Sequence, residues 1–132
     1  MAKSISQQFE DMIFDCITYV PMHKKAFKKR GYNQSELLAK ELSKIMGIPY
    51  VNTLNKIKET KPQHHLTAKN RKTNLKGAFE VSDEEFVKNK SILIIDDIIT
   101  TGYTLGECCK TLQKAKPLSI CCATFLATGY LY

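Results

Sequence analysis

Residues 91–109 read SILIIDDIITTGYTLGECC, four apolar residues that run straight into two aspartates, then two more apolar residues, a Thr-Thr-Gly turn and a helical pattern. A run as short and β-branched as Ile92 to Ile95 predicts a strand buried on both faces. With a helix directly behind it, the segment predicts a strand-loop-helix unit and hence an α/β fold built on a parallel sheet. The remaining apolar segments agree. FDCITYVP (14–21) predicts a strand stopped by Pro21, IPYVNTL (48–54) a second, GAFEV (77–81) a short return strand, and LSICCATFLAT (118–128) the last. Helices are predicted over 4–13, over NQSELLAKELSKIMG (33–47) and over 104–116, with a turn or short helix in SDEEFVKNK (82–90). In the second helix Asn33 or Ser35 stands ready as a cap, Gly47 as the stop, and Leu37, Leu38, Leu42, Ile45 and Met46 as a core face.

The expected architecture is an open parallel sheet with helices on both faces, ordered IPYVNTL, FDCITYV, SILIID, LSICCATF. The winding reverses between the middle two strands, and ligands bind at such a switch point, beyond the carboxyl ends of the strands. Two loops meet there: the one after FDCITYV, comprising MHKKAFKKRGY, and DDIITTGYT. Residues 57–76 are polar and basic without clear periodicity, and predict a mobile flap within a single domain spanning 1–132.

The second loop has the chemistry of a phosphorylated sugar site. Asp96 and Asp97 can meet sugar hydroxyls or a magnesium ion, which takes oxygen ligands and arrives with substrate phosphates. Thr100, Thr101 and Thr104 offer hydroxyls, Gly102 lets backbone amides turn inward, and the following helix aims its amides and positive dipole end at the same place. A ribose 5-phosphate uses all of these together. The plain alternative is an acidic pair ending a buried strand before a threonine-rich turn.

Charge points the same way. The chain has 20 Lys and Arg against 13 Asp and Glu, a net charge of +7, which favours an anionic partner: polyphosphate, nucleic acid or a membrane surface. Twelve of the 20 cations fall in two clusters, one of Lys24, Lys25, Lys28, Lys29 and Arg30, the other from Lys56 to Lys76. The apolar runs are far shorter than the roughly 20 residues of a membrane span, and the first residues lack the apolar centre of a secretion signal, so a cytoplasmic protein is expected. The five cysteines, odd in number and without a C-x-x-C, argue against a disulfide framework or a cysteine zinc site, and read as small buried hydrophobes.

The pattern of four apolar residues, two acids, two apolar residues, Thr-Thr-Gly, any residue and Thr resembles the binding loop for phosphoribosyl pyrophosphate (PRPP) in type I phosphoribosyltransferases. Together with VPMHKKAFKKRGYNQSELLAKEL and TKPQHHLTAKNRKTNLKGAF, it makes the chain similar, from about Phe14 onward, to the ComF family of competence-associated proteins. That family often has a four-cysteine zinc module ahead of this domain. None is present in these 132 residues, which leaves open a trimmed or a naturally short form. Tyr103 stands where the family usually has a small residue.

The resemblance implies transfer of a phosphoribosyl group from PRPP to an unknown acceptor, with release of pyrophosphate and Mg²⁺ as cofactor. Asp96 and Asp97 would engage the ribose hydroxyls directly or through Mg²⁺, and Thr100, Thr101, Gly102, Tyr103 and Thr104 would form the 5-phosphate cradle. Met22, His23 and Lys24 would grip pyrophosphate, with Arg30 either joining them or bracing the loop. Arg71, near Lys61, Gln63 and Asn74, would lie on the closing flap. His64 and His65 read as exposed rather than metal-binding. The resemblance leaves open a non-catalytic PRPP-binding module and a competence factor that binds single-stranded DNA. Other competence proteins and an oligomer are compatible with it.

Overall fold

A computed structural model describes residues 13–60, 66–99 and 102–127; at Ala68, Arg71, Lys72, Ile98, Ile99 and 125–127 it describes the backbone alone. The elements run β1 (Cys16–Tyr19), α1 (Lys24–Arg30), α2 (Gln34–Met46), β2 (Leu54–Lys56), α3 (Ala68–Leu75), β3 (Phe79–Val81), α4 (Glu84–Val87), β4 (Ser91–Ile99), α5 (Tyr103–Gln113) and β5 (Ser119–Ala127). The helix expected over 4–13 lies almost wholly outside the described residues.

Strands β1, β4 and β5 form a parallel sheet in that order, with Cys16 opposite Ile92 and Ile92 opposite Ile120. Beyond β1, Tyr50 makes a parallel bridge to Ile17, flanked by bonds from Ile17 N to Pro49 O (2.9 Å) and Val51 N to Ile17 O (2.8 Å). The expected order therefore holds, but its first member is a single bridge rather than a strand. The chain turns away after Tyr50 because Leu54–Lys56 pairs antiparallel with Phe79–Val81 instead.

Alternate residues of the sheet feed two cores, which is why the strands read as continuous apolar runs. Ile17, Tyr19, Leu93 and Ile95 pack with Ala39 and Leu42 of α2 on one face. On the other, Cys16, Ile92 and Ile94 pack with Leu105, Cys108 and Leu112 of α5, and with Leu75, Phe79 and Val87. Helices on both faces are thus observed.

Four expectations need correction. MHKKAFKKRGY is not all loop: its centre is helix α1, although α1 buries no residue. Its ends explain it, since His23 Nδ1 accepts from Lys25 N (3.2 Å), Gly31 closes it at φ 87°, and Lys28, Lys29 and Arg30 in the last turn complement the helix dipole. Residues 68–75 of the supposedly aperiodic segment form α3, capped by Thr67 and seated by the buried Leu75. On α2, Leu37 and Ile45 are 45% and 64% exposed. The contact stripe is Ser35, Leu38, Ala39, Leu42 and Met46, centred on a small residue that lets the helix approach the sheet. Finally, not every cysteine is buried: Cys16 and Cys108 are, Cys109 and Cys121 are half-buried, and Cys122 is exposed.

Candidate functional site

The site is built where β1 and β4 end on the same edge of the sheet. Strand β4 does not stop at the acids, as the sequence suggested, but runs through them to Ile99, because β5 continues beside it as far as Ala127. Asp96 therefore sits in a strand, opposite Thr124, and is only 8% exposed.

A buried carboxylate needs partners, and these come from the start of α2. Ser35 Oγ donates to Asp96 Oδ1 (3.0 Å), which also accepts the Asp97 amide (2.9 Å). Burial pushes the Asp96 carboxyl up to about 7; the neighbouring Asp97 carboxyl adds to this by hydrogen bond and charge, while the Ser35 hydroxyl and Asp97 amide act the other way. Asn33 holds the arrangement together. Its Oδ1 accepts from Ser35 N (3.0 Å), capping α2, and its Nδ2 donates to Val20 O (3.0 Å) at the end of β1. One Asn-x-Ser thus ties the β1 loop to the acids of β4. Sequence reading saw both residues only as caps; nothing in the spacing signals that Ser35 meets a residue 61 positions on.

Past β4, Gly102 is the N-cap of α5 at φ 80°, a conformation that favours glycine, and having no side chain it makes no capping hydrogen bond of its own. Tyr103 and Thr104 are half-buried in its first turn, and the Tyr103 ring packs against the apolar core. Thr100 and Thr101 lie outside the described residues, as do Lys61, Gln63, His64 and His65. Arg71 is placed on α3, and its side chain is not among those described.

Met22, His23 and Lys24 come together, with Tyr19 and Asn33, on the wall of a cleft of about 910 Å³ that extends to Asn52, Asn55, Lys56 and Glu80. Asp96, Asp97 and Arg30 are not on its lining, so the cleft and the acids are adjoining parts joined through Asn33. Arg30 stacks over the Tyr32 ring at 5.4 Å from its centre. Tyr19 donates to Glu36 Oε2 (3.2 Å); burial first, then Glu36, pushes the phenol up to about 12. Lys56 stood out in the sequence only as the first member of the second basic cluster, with no site role assigned to it. Burial lowers its ammonium pKa, which marks a partly desolvated cation facing the cleft.

No group of three or more His, Cys, Asp or Glu able to hold a metal occurs among the described residues. The donor set of Asp96 and Asp97 suits an ion that takes one or two carboxylates and completes its shell with substrate phosphate and water, as Mg²⁺ does.

Residues 32–130 match the phosphoribosyl transferase domain family. The chain belongs to that family. Among relatives of this phosphoribosyltransferase-family chain, competence protein F of Haemophilus influenzae is 43% identical over 103 residues, 76% of this chain and 44% of that protein. The DNA utilization protein YhgH of Salmonella typhimurium is 38% identical over 101 residues, with the same coverage. The resemblance to ComF proteins is borne out, and the chain spans less than half the length of these relatives. Among solved structures, an adenine phosphoribosyltransferase superposes with a TM-score of 0.63 at 13% identity, over 97% of this chain and 66% of that one. A Staphylococcus aureus hypoxanthine phosphoribosyltransferase gives 0.63 at 18%, over 97% and 61%. At such identities these two neighbours speak for the fold. They match the expected type I phosphoribosyltransferase-like core.

Proposed function

We propose that this domain binds PRPP with Mg²⁺ and transfers its phosphoribosyl group to an acceptor, releasing pyrophosphate. The supporting observation is the position of Asp96: buried, oriented by Ser35, and followed within six residues by the glycine-led start of helix α5 at Gly102. Asp96 and Asp97 would hold the ribose hydroxyls, and Gly102, Tyr103 and Thr104, with Thr100 and Thr101, the 5-phosphate. Met22, His23 and Lys24 would receive the pyrophosphate. Arg30, stacked on Tyr32, would join them on the pyrophosphate or brace their loop.

Breaking the C1–O bond puts positive charge on the sugar and negative charge on the leaving pyrophosphate. The protein's work is then to neutralise the leaving group, fix the ribose and keep water out. Asp96 and Asp97 would hold Mg²⁺ together with the substrate, and the ion would supply further neutralisation. Lys24 and the desolvated Lys56 face the cleft where that charge would collect. Within the single domain, residues 57–76 serve as the cover, with Arg71 on α3, whose base is fixed by Leu75.

Calorimetry with PRPP and Mg²⁺ on the intact chain and on Asp96→Asn with Asp97→Asn tests this. Each lost charged hydrogen bond is worth about 1.5–3 kcal/mol, so the double variant should bind at least about tenfold more weakly. Equal affinity would remove the acids from the site. Pyrophosphate release against a panel of bases and amines then separates an enzyme from a PRPP-binding module.

A second reading is favoured by α1. It presents Lys24, Lys25, Lys28, Lys29 and Arg30 with no acid in its first turn, beside the exposed rings of Phe27 and Tyr32. Lys25 alone of these has an ion-pair partner among the described residues, Glu59 at 3.2 Å and well exposed, a weak tie. Cations with flanking aromatics suit single-stranded DNA. Steeply salt-dependent binding that PRPP does not displace would place DNA on the part of α1 away from the cleft, at Lys25, Lys29 and Arg30; displacement would place it on the shared wall of Lys24, Phe27 and Lys28.

A further inference from the structure

Cysteines 109 and 122 stand on different elements, α5 and β5, yet their sulfurs are 3.3 Å apart. A disulfide bond is about 2.05 Å long, so a small rotation of either side chain closes the gap. Cys122 is exposed on β5, the last strand in the order β1-β4-β5, and Cys109 is half-buried on α5, so reagents in solution can reach the pair. The other three thiols are placed differently. Cys16 and Cys108 are buried, and Cys121 packs on the opposite face of the sheet.

We propose that Cys109 and Cys122 form a reversible dithiol-disulfide site whose oxidant is a small organic disulfide of the glutathione type. The electronic state of the pair supports it. The contact with Cys122 holds the Cys109 thiol down to about 7, against the effect of its own burial, while Cys122 is raised. In this proposal Cys109 is the nucleophile and Cys122 the resolving thiol.

In the first step the Cys109 thiolate attacks one sulfur of the oxidant, forming a mixed disulfide and expelling one thiolate, which takes up a proton. Cys122 then loses its proton and attacks Cys109 Sγ, expelling the second thiolate. Two protein thiols are oxidised to one disulfide, and one small disulfide is reduced to two thiols. The resulting bond tethers α5 to β5. None of this depends on PRPP binding.

The test is incubation of the full chain in glutathione buffers of stepped oxidised-to-reduced ratio, acid quenching, and peptide mapping without reduction. The expected product is a Cys109–Cys122 cross-link that dithiothreitol reverses. Cys122→Ser should stop at a mixed disulfide on Cys109. Alkylation of Cys109 by iodoacetamide at pH 7 should fall in Cys122→Ala. A thiolate fraction about 50-fold smaller, partly offset by greater intrinsic nucleophilicity, predicts a slowing of about fivefold. Linkage between adjacent cysteines, cross-linking only between chains, or no linkage while Cys109 stays alkylatable would each overturn the proposal.

Discussion

Asp96 meets opposing demands, since burial favours its neutral form while Ser35 and the Asp97 amide favour the charged one. Burial wins, which fixes the sign of a pH effect in metal-free protein. From the ordinary 3.8 up to about 7, the unfolded chain has lost a proton that the folded chain still holds. Ionisation then stabilises the unfolded state, and stability falls as pH rises through that window, with a slope approaching about 1.4 kcal/mol per pH unit, before levelling off. Asp96→Asn, neutral at every pH, should flatten the decline. Urea unfolding at stepped pH, without divalent cation, compares the two chains; parallel curves would mean that the folded Asp96 titrates like a free one. At this scale the acids and the turn behind them were legible in the sequence and their support was not. Two adjacent acids before Thr-Thr-Gly stand out by type and spacing, and the sugar-phosphate ligand read from them belongs to the proposed function. That Ser35 orients Asp96 could not be read, because a hydroxyl has no periodicity and its partner comes from a distant strand.

Helix α2 shows how far patterning reaches at the level of an element. Its limits were visible in Asn33 and Gly47, since capping depends on local backbone chemistry. Its buried stripe was not. Five apolar residues cover more of the helix circumference than the sheet can touch, and close approach at Ala39 chose Leu42 and left Leu37 and Ile45 outside. Leu42→Ala should therefore cost about 2–5 kcal/mol, and Leu37→Gln should stay within about 0.5 kcal/mol of the parent. Asn33→Ala removes both the cap and the donor to Val20, for about 2 kcal/mol. Denaturant midpoints rank the three. If Leu37→Gln proves as damaging as Leu42→Ala, the assigned helix face is wrong. Helix α1 was missed for the converse reason: it has no apolar stripe to read, being held by its caps and by charges near its end.

Across the whole molecule, a buried polar contact helps to dock the β2–β3 pair onto the sheet beside the apolar packing of Leu54 and Phe79. Thr18 Oγ1 and Thr53 Oγ1 lie 2.7 Å apart, and Ser82 N donates to Thr53 O at 2.9 Å. Thr18→Val should cost about 1–3 kcal/mol by leaving Thr53 without its partner, and adding Thr53→Val should cost less than a second equal step. Strictly additive losses in a double-mutant cycle would show that the two hydroxyls do not act as a pair. By itself, the sequence determined the α/β class, the strand order and the strand-loop-helix course of the 91–113 segment, because runs of β-branched residues, caps and glycine act between near neighbours in the chain. Only the tertiary structure decided that β4 would run through the acids, that Tyr50 would make a bridge while Leu54 paired elsewhere, and that Cys109 would meet Cys122. Those outcomes depend on which surfaces remain uncovered once the sheet and helices have packed, and nothing local in the chain encodes that competition.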